Sequence, residues 1–278
     1  MREHQGPEGR RVSASTAEEP LLVLFADGVL RIQLNRLKAR NAINWAMRRE
    51  LHRVLDEASR DTAVRVVVLA GDERAFCSGG DVKQMGGGDT DTSDKLIMMK
   101  AISETVTGMP KPVVAEVRGH AAGAGFGLAL MCDLVLADET AIFTSTFIRI
   151  GLVPDLGLAY WLPRQVGLHR AKEIILTGRA IGAQEALALG LVARVWATET
   201  FRSRADEFIA MLAAQPAVGM ALTKPLLNQT FETSLSDSLD SERLAQITAA
   251  HSNEHQAYLV ALRSGASAAP TGGSRPSI

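Results

Sequence analysis

Residues 111–133 read KPVVAEVRGHAAGAGFGLALMCD, and the reading of this stretch decides the fold. Residues 112–118 form an extended run rich in valine, as expected of a strand covered on both faces. Gly119 ends it. Gly123, Gly125 and Gly127 then alternate with small and aromatic residues before the apolar run Leu128-Ala129-Leu130-Met131, which has helical character. Glycines where a strand ends and a helix begins let backbone N–H groups point at a ligand. The helix N-terminus adds partial positive charge, so the place suits an anion or a developing oxyanion. It lacks the strand–GxGxxG register with a later acidic residue that a dinucleotide fold requires.

Working outward, the same arrangement occurs upstream. Residues 64–70 are a β-branched run, followed by AFCSGGDV at residues 75–82. Residues 133–137 predict a third strand, and helical segments lie between the three, so the core is α/β. From Asn44, Trp45, Leu51, Val54, Leu55 and Ala58 recur at helical steps, with Asn41 or Asn44 as the cap. Further upstream, residues 21–26 and 29–35 flank Asp27-Gly28, a hairpin signal. Residues 86–94 (GGGDTDTSD) read as a loop, either a surface connection or a gate, ahead of an apolar helix over 95–107. After about residue 198 the pattern is helical throughout: 201–214, 217–231 and 236–250. The expected organisation is a mobile tail over 1–19, a core over 20–198, a helical region over 199–264 and a tail over 265–278.

Composition narrows the function. In 278 residues, 46% are hydrophobic and 22% charged, enough for one sizeable core. Thirty basic residues against 31 acidic ones leave a net charge of −1, which disfavours nucleic acid as a partner. Two cysteines, Cys77 and Cys132, exclude a disulfide scaffold and suit a reducing compartment. The first residues carry no apolar signal region, and no apolar run reaches the roughly 18–20 residues of a membrane span. A cytoplasmic location is expected. No His/Cys/Asp cluster has metal-ligand spacing.

These motifs together resemble the crotonase (enoyl-CoA hydratase/isomerase) superfamily. The resemblance runs from about Leu21 to Arg263. It is carried by NRLKARNA (35–42), AFCSGGDV (75–82), the opening stretch, IGLVPDLGLAYWLPRQVG (150–167) and the segment 186–192. It implies a ClpP/crotonase-like spiral of ββα turns with a C-terminal helical region that packs trimers, often paired as hexamers. It also implies an acyl-CoA thioester as substrate, with coenzyme A part of that substrate and no separate cofactor. Carried over by position, the oxyanion hole falls on the backbone N–H groups of Gly80 and Ala124. CoA contacts fall on the Lys38-Ala39-Arg40 stretch and on the backbone of Ser78, Gly79, Asp81 and Val82, with Gly123 and Phe147 also at the substrate. A solvated face is the plainer account of Lys38 and Arg40. A C-terminal lysine that reaches CoA in other members is replaced here by Leu262, followed by Arg263.

Family hydratases hold and deprotonate a water with two glutamates. Those positions are Gly127 and Phe147 here, and neither side chain orients water or moves a proton. One carboxylate remains in a family catalytic position, Asp155 in GLVPDLG (151–157). This block is most similar to the 1,2-epoxyphenylacetyl-CoA isomerases of phenylacetate degradation. A double-bond shift needs one group that removes a proton and returns it elsewhere, and Phe147, Ile150, Leu152, Val153 and Leu156 are expected to bury it. Asp155 also follows Pro154 ahead of a helix, where aspartate is a favoured N-cap.

The expected function is therefore an enoyl-CoA isomerase. The alternatives are an enoyl-CoA hydratase or another crotonase reaction (ring cleavage, thioester hydrolysis), and a catalytically silent acyl-CoA-binding paralogue. Glu116 and Arg118 are expected to pair with each other or with neighbours. His120 is expected to line the pocket or hydrogen-bond, and Cys77 to pack. Apolar positions after residue 198, among them Phe208, Ile209, Leu212, Leu227, Leu239 and Leu244, predict a homo-trimer or hexamer.

Overall fold

The computed structural model describes residues 10–11, 19–86 and 88–264. The tail expected at 265–278 and most of that at 1–19 lie outside these. Within the latter, Arg10–Arg11 form β1, paired antiparallel with Leu24 and Phe25, so this part is an edge strand rather than free tail.

In chain order, β2 (Leu21–Ala26) and β3 (Val29–Leu34) form the hairpin around Asp27-Gly28, both in the left-handed region that the turn requires. Helix α1 (Trp45–Arg60) is capped by Asn44, whose side chain accepts from the Met47 N–H. Then come β4 (Val66–Ala70), β5 (Ala75–Cys77), α2 (Asp89–Gly108), β6 (Val113–Val117), β7 (His120–Ala122) and α3 (Ala124–Leu130). The chain continues through β8 (Leu134–Asp138), β9 (Ile142–Thr144), α4 (Leu158–Val166), α5 (Leu168–Thr177), β10 (Ala180–Gly182), α6 (Ala183–Ala188) and β11 (Arg194–Trp196). It ends in α7 (Thr198–Ala213), α8 (Ala217–Asn228), α9 (Leu235–Ala250) and α10 (Asn253–Arg263).

Two sheets result, ordered β1-β2-β3-β4-β6-β8-β11 and β10-β9-β7-β5. Each repeat sends its first strand to the large sheet (β4, β6, β8) and its second to the small one (β5, β7, β9). The pairs β4–β6, β6–β8, β5–β7 and β7–β9 are all parallel, which makes the core a spiral of ββα turns. Strands β4 and β6 are buried at every position, as continuous apolar runs predict. One face of the large sheet meets the main core. The other, with Val66, Val68, Val114 and Leu136, is covered by Phe201, Ala205 and Ile209 of α7. The helical region expected from residue 199 therefore opens with a helix that closes the sheet. Phe208 and Leu212 pack there too, so they and Ile209 add nothing to an exposed face.

The loop expected over 86–94 is shorter than read. Helix α2 starts at Asp89 because Asp91 takes the Trp45 Nε1–H at 3.1 Å and pairs with Lys95, one helical turn on. Lys95 also donates to the Gln84 carbonyl at 2.6 Å, and the Gln84 side chain accepts from the Trp45 N–H at 2.9 Å. These contacts lash the start of α2 to the start of α1.

Candidate active site

The two glycine-rich segments meet at one place. The loop after β5 crosses directly over the N-terminus of α3: Gly79, at φ +102°, approaches so closely that a Cβ there would lie 2.9 Å from the Ala122 oxygen and 3.6 Å from the Ala124 nitrogen. Deeper in, Gly125 is obligatory, because its Cβ would stand 2.2 Å from the Cys77 carbonyl oxygen. The helix can seat against β5 only without a side chain at that position. Neighbouring N–H groups are occupied. Ser78 donates to Arg40, Gly79 to the Cys77 sulfur, Asp81 to Ile43 and Gly123 to Thr144. The N–H groups of Gly80 and Ala124 take part in no such loop or cap bond. Two donors thus lie side by side where one loop passes over a helix start.

Asp155 stands against the same helix. Its carbonyl oxygen would be 3.2 Å from a Cβ on Gly127, one turn along α3 from Ala124. The next residue, Leu156, holds φ +50°, a left-handed conformation rare for leucine, and its Cβ would be only 2.7 Å from that same atom. The carboxylate does not cap α4. The N-cap is Gly157, and Asp155 contributes only its backbone carbonyl, to the Leu158 N–H at 3.0 Å. Its Oδ1 is buried without a hydrogen-bond partner. Burial raises the carboxyl from 3.8 to about 6, partly opposed by the positive charge of Arg48. Of the apolar residues expected to bury it, Phe147 and Leu156 are buried, whereas Ile150, Leu152 and Val153 are exposed. The Phe147 ring reaches to 3.8 Å from a Cβ position on Gly123, so an apolar edge lies against the start of α3.

The residues expected around CoA divide. Lys38 and Arg40 are exposed, as is Val82, on a short 3-10 turn and its flank. Ser78 is committed inside the protein, its hydroxyl donating to the Ala39 carbonyl at 3.1 Å. Asp81 likewise accepts from Arg36 Nη2 at 2.8 Å and from the Lys83 N–H at 3.1 Å. The reason is local: Asp81 caps the 3-10 turn Val82–Gln84, which fixes the loop carrying Gly80.

Glu116 lies outside the site. The Glu116 side chain pairs with Arg31 of β3 and approaches Arg202 of α7 at 3.9 Å, on the α7 face of the sheet. His120 is exposed. Arg118 pairs with Asp138 at 3.1 Å and Glu73 at 3.5 Å. Burial pushes the Cys77 thiol up to about 12, so it packs as a neutral group.

Arg48 escaped the sequence reading. It is 9% exposed on α1, yet its Nε and Nη1 have no partner, and Asp155, Asp91, Asp81 and Cys77 feel its charge. The available signal was its position three residues before Leu51 and seven before Leu55, on the buried stripe of the helix.

Comparison with known proteins agrees with the architecture. The family model described as enoyl-CoA hydratase/isomerase matches residues 25–262. The chain is 34% identical to the 1,2-epoxyphenylacetyl-CoA isomerase of Escherichia coli over 82% of this chain and 89% of that one. It is 36% identical to the mitochondrial enoyl-CoA hydratase of Pongo abelii, over 76% of this chain and 73% of that one. The crystal structure of an enoyl-CoA hydratase from Bacillus anthracis superposes with a TM-score of 0.86 at 31% identity, covering 91% of this chain and all of that one. With its spiral of ββα turns and a family match that spans both glycine-rich segments, the chain belongs to the enoyl-CoA hydratase/isomerase (crotonase) family of acyl-CoA enzymes.

Proposed function

We propose that this enzyme moves a carbon–carbon double bond within an enoyl-CoA, using Asp155 as the proton-transferring group. In the direction from a 3-enoyl to a 2-enoyl thioester, the Asp155 carboxylate removes a proton from C2. The electron pair moves into the thioester carbonyl and gives a dienolate, whose oxygen accepts from the N–H groups of Gly80 and Ala124. Asp155 then returns the proton to C4 as the 2,3 double bond forms, and no atom is gained or lost. Backbone donors aimed at a developing oxyanion are worth roughly 10²–10³ in rate each.

The observation that carries the reading is the Asp155 carboxyl, buried, with Oδ1 unpartnered, and raised to about 6. A base near neutrality is suited to giving back the proton it takes. The other carboxylates around Arg48 are engaged, Asp81 by Arg36 and Asp91 by Lys95 and Trp45. Hydration is the second reading, favoured by the relatives named hydratases. It needs groups to hold and activate a water, whereas Gly127 has no side chain and Phe147 offers an apolar ring.

The test is incubation with 3-hexenoyl-CoA while following the absorbance of the conjugated 2-enoyl thioester, with crotonyl-CoA hydration measured in the same preparation. Isomerisation should exceed hydration by orders of magnitude. Hydration at an equal rate would overturn the assignment.

A further inference from the structure

Among the buried cations of the described residues, Arg48 is the exception. Lys111 donates to the Ala58 and Asp61 carbonyls, both at 2.7 Å. Lys224 donates to the Val106 and Lys111 carbonyls and pairs with Asp133 at 2.7 Å. Arg31 is held by Glu116 and Asp206. Arg48 is as buried as these, but Nε and Nη1 have no acceptor. Among the described residues it makes no ion pair within 4.0 Å: Asp81 and Asp91 are engaged elsewhere, and Asp155 does not reach it. The Trp45 ring centroid lies 5.9 Å from its guanidinium carbon.

The location is equally unfavourable for a purely structural cation. Arg48 sits near the N-terminal end of α1, where the helix dipole disfavours positive charge. A buried charge without a partner destabilises a fold unless something else satisfies it. Across from it, Asp155 Oδ1 is also buried and unpartnered. A cation and a carboxylate thus stand close enough for each to feel the other's charge without touching, each with unused hydrogen-bonding capacity. Cys77, at the end of β5, stands close enough to feel both charges.

We propose that Arg48 recognises substrate by donating hydrogen bonds to an oxygen on the acyl chain, so that the preferred thioester carries a carboxylate or other oxygen acceptor beyond the reacting carbons. This rests on the reading of the site as an acyl pocket with Asp155 at those carbons. A guanidinium accepts nothing, so the ligand atom facing it is an acceptor. Removal from water makes each such bond strong and makes an acyl chain without an acceptor a poor fit.

Binding of unreactive saturated thioesters tests this without requiring turnover. Hexanoyl-CoA, 5-oxohexanoyl-CoA and adipoyl-CoA (one free carboxylate) are titrated by calorimetry into the wild-type enzyme, Arg48→Met and Arg48→Lys. The wild type should prefer one or both oxygenated esters to hexanoyl-CoA by about 10- to 100-fold, the span expected of hydrogen bonds to a charged group. Preference for adipoyl-CoA alone identifies a carboxylate, and preference for both identifies any oxygen acceptor. Arg48→Met should bind the three esters alike, and Arg48→Lys should keep part of the preference. Equal binding of all three by the wild type overturns the proposal, as does an undiminished preference in Arg48→Met. An enzyme that discriminates among these esters yet isomerises no 3-enoyl-CoA would refute the isomerase reading and leave the recognition role standing.

Discussion

Gly127 and Leu156 occupy one another's space: a Cβ built on Gly127 would lie 2.7 Å from the Leu156 Cβ and 3.2 Å from the Asp155 carbonyl oxygen. The place where family hydratases carry their first glutamate is therefore filled from the other side by the segment that holds Asp155. Substitution Gly127→Glu should not create a hydratase. It should cost roughly 1–3 kcal/mol of stability through overpacking, measured by chemical denaturation, and crotonyl-CoA hydration should stay at the wild-type level.

Asp155→Asn keeps the size of the side chain and removes its ability to carry a proton. Because α4 is not capped by this side chain, stability should not suffer the loss of a cap. Turnover of 3-enoyl-CoA should fall by about 10²–10⁴, while affinity for a saturated thioester changes little. Full activity in this variant would exclude Asp155 as the base. Glu116, held by Arg31 on the α7 face, is not placed to substitute for it.

The raised Asp155 carboxyl has a signature in pH. As a base it must be ionised, so kcat/KM should rise with pH through an inflection at about 6, absent in Asp155→Asn. Stability runs in the opposite sense. The folded state holds this proton more tightly than the unfolded chain, whose carboxyl titrates near 3.8. The folded state therefore gains stability as pH falls from above 6 towards 3.8, and loses that contribution as pH rises through 6. The difference in melting temperature between wild type and Asp155→Asn should accordingly change across this window. A flat difference would argue against the shift.

Cys77 lies beside the oxyanion loop but should be inert. Buried, and with its thiol pushed up to about 12, it has almost no thiolate at neutral pH. A thiol reagent should label neither Cys77 nor buried Cys132 in the native protein, and both after denaturation. Rapid native labelling of Cys77 would show that the loop opens.

Assembly follows from the last helices. No residue of α9 or α10 is buried, and Leu235, Leu239, Leu244, Ile247, Tyr258, Val260 and Leu262 are all exposed. With Leu227 and Phe231 they form more apolar surface than a monomer normally exposes. Light scattering at micromolar concentration should give a trimer or a multiple of it, and a monomer would contradict this.

The strands of the core were legible because two-sided burial leaves an unmistakable apolar run, as in Val66–Ala70 and Val113–Val117. The meeting of the two glycine-rich segments is what the family resemblance implied, and the structure brings Gly79 against the start of α3. What escaped was decided by contacts distant in sequence. Helix α2 starts early because Trp45 and Lys95 hold Asp91. The side chains of Ser78 and Asp81 fix their loop through Ala39 and Arg36, partners some forty residues away in the chain. Arg48 drew no reading from the sequence, and its burial at 9% exposure appears only in the folded chain.

Helix α3 is buried along its whole length, and Gly125 is pinned against the Cys77 carbonyl. The N–H groups of Gly80 and Ala124 belong to the main chain, so no point substitution other than to proline deletes either of them. Diversification of this enzyme is consequently lopsided. The half of the site that would grip the thioester is inherited with the fold itself. On the proposed reading, the half that moves the proton hangs on Asp155, at the end of a segment whose residues 148–153 are exposed. Libraries that vary this segment and leave residues 77–80 and 123–127 untouched are the economical route to new reactions on the same thioester.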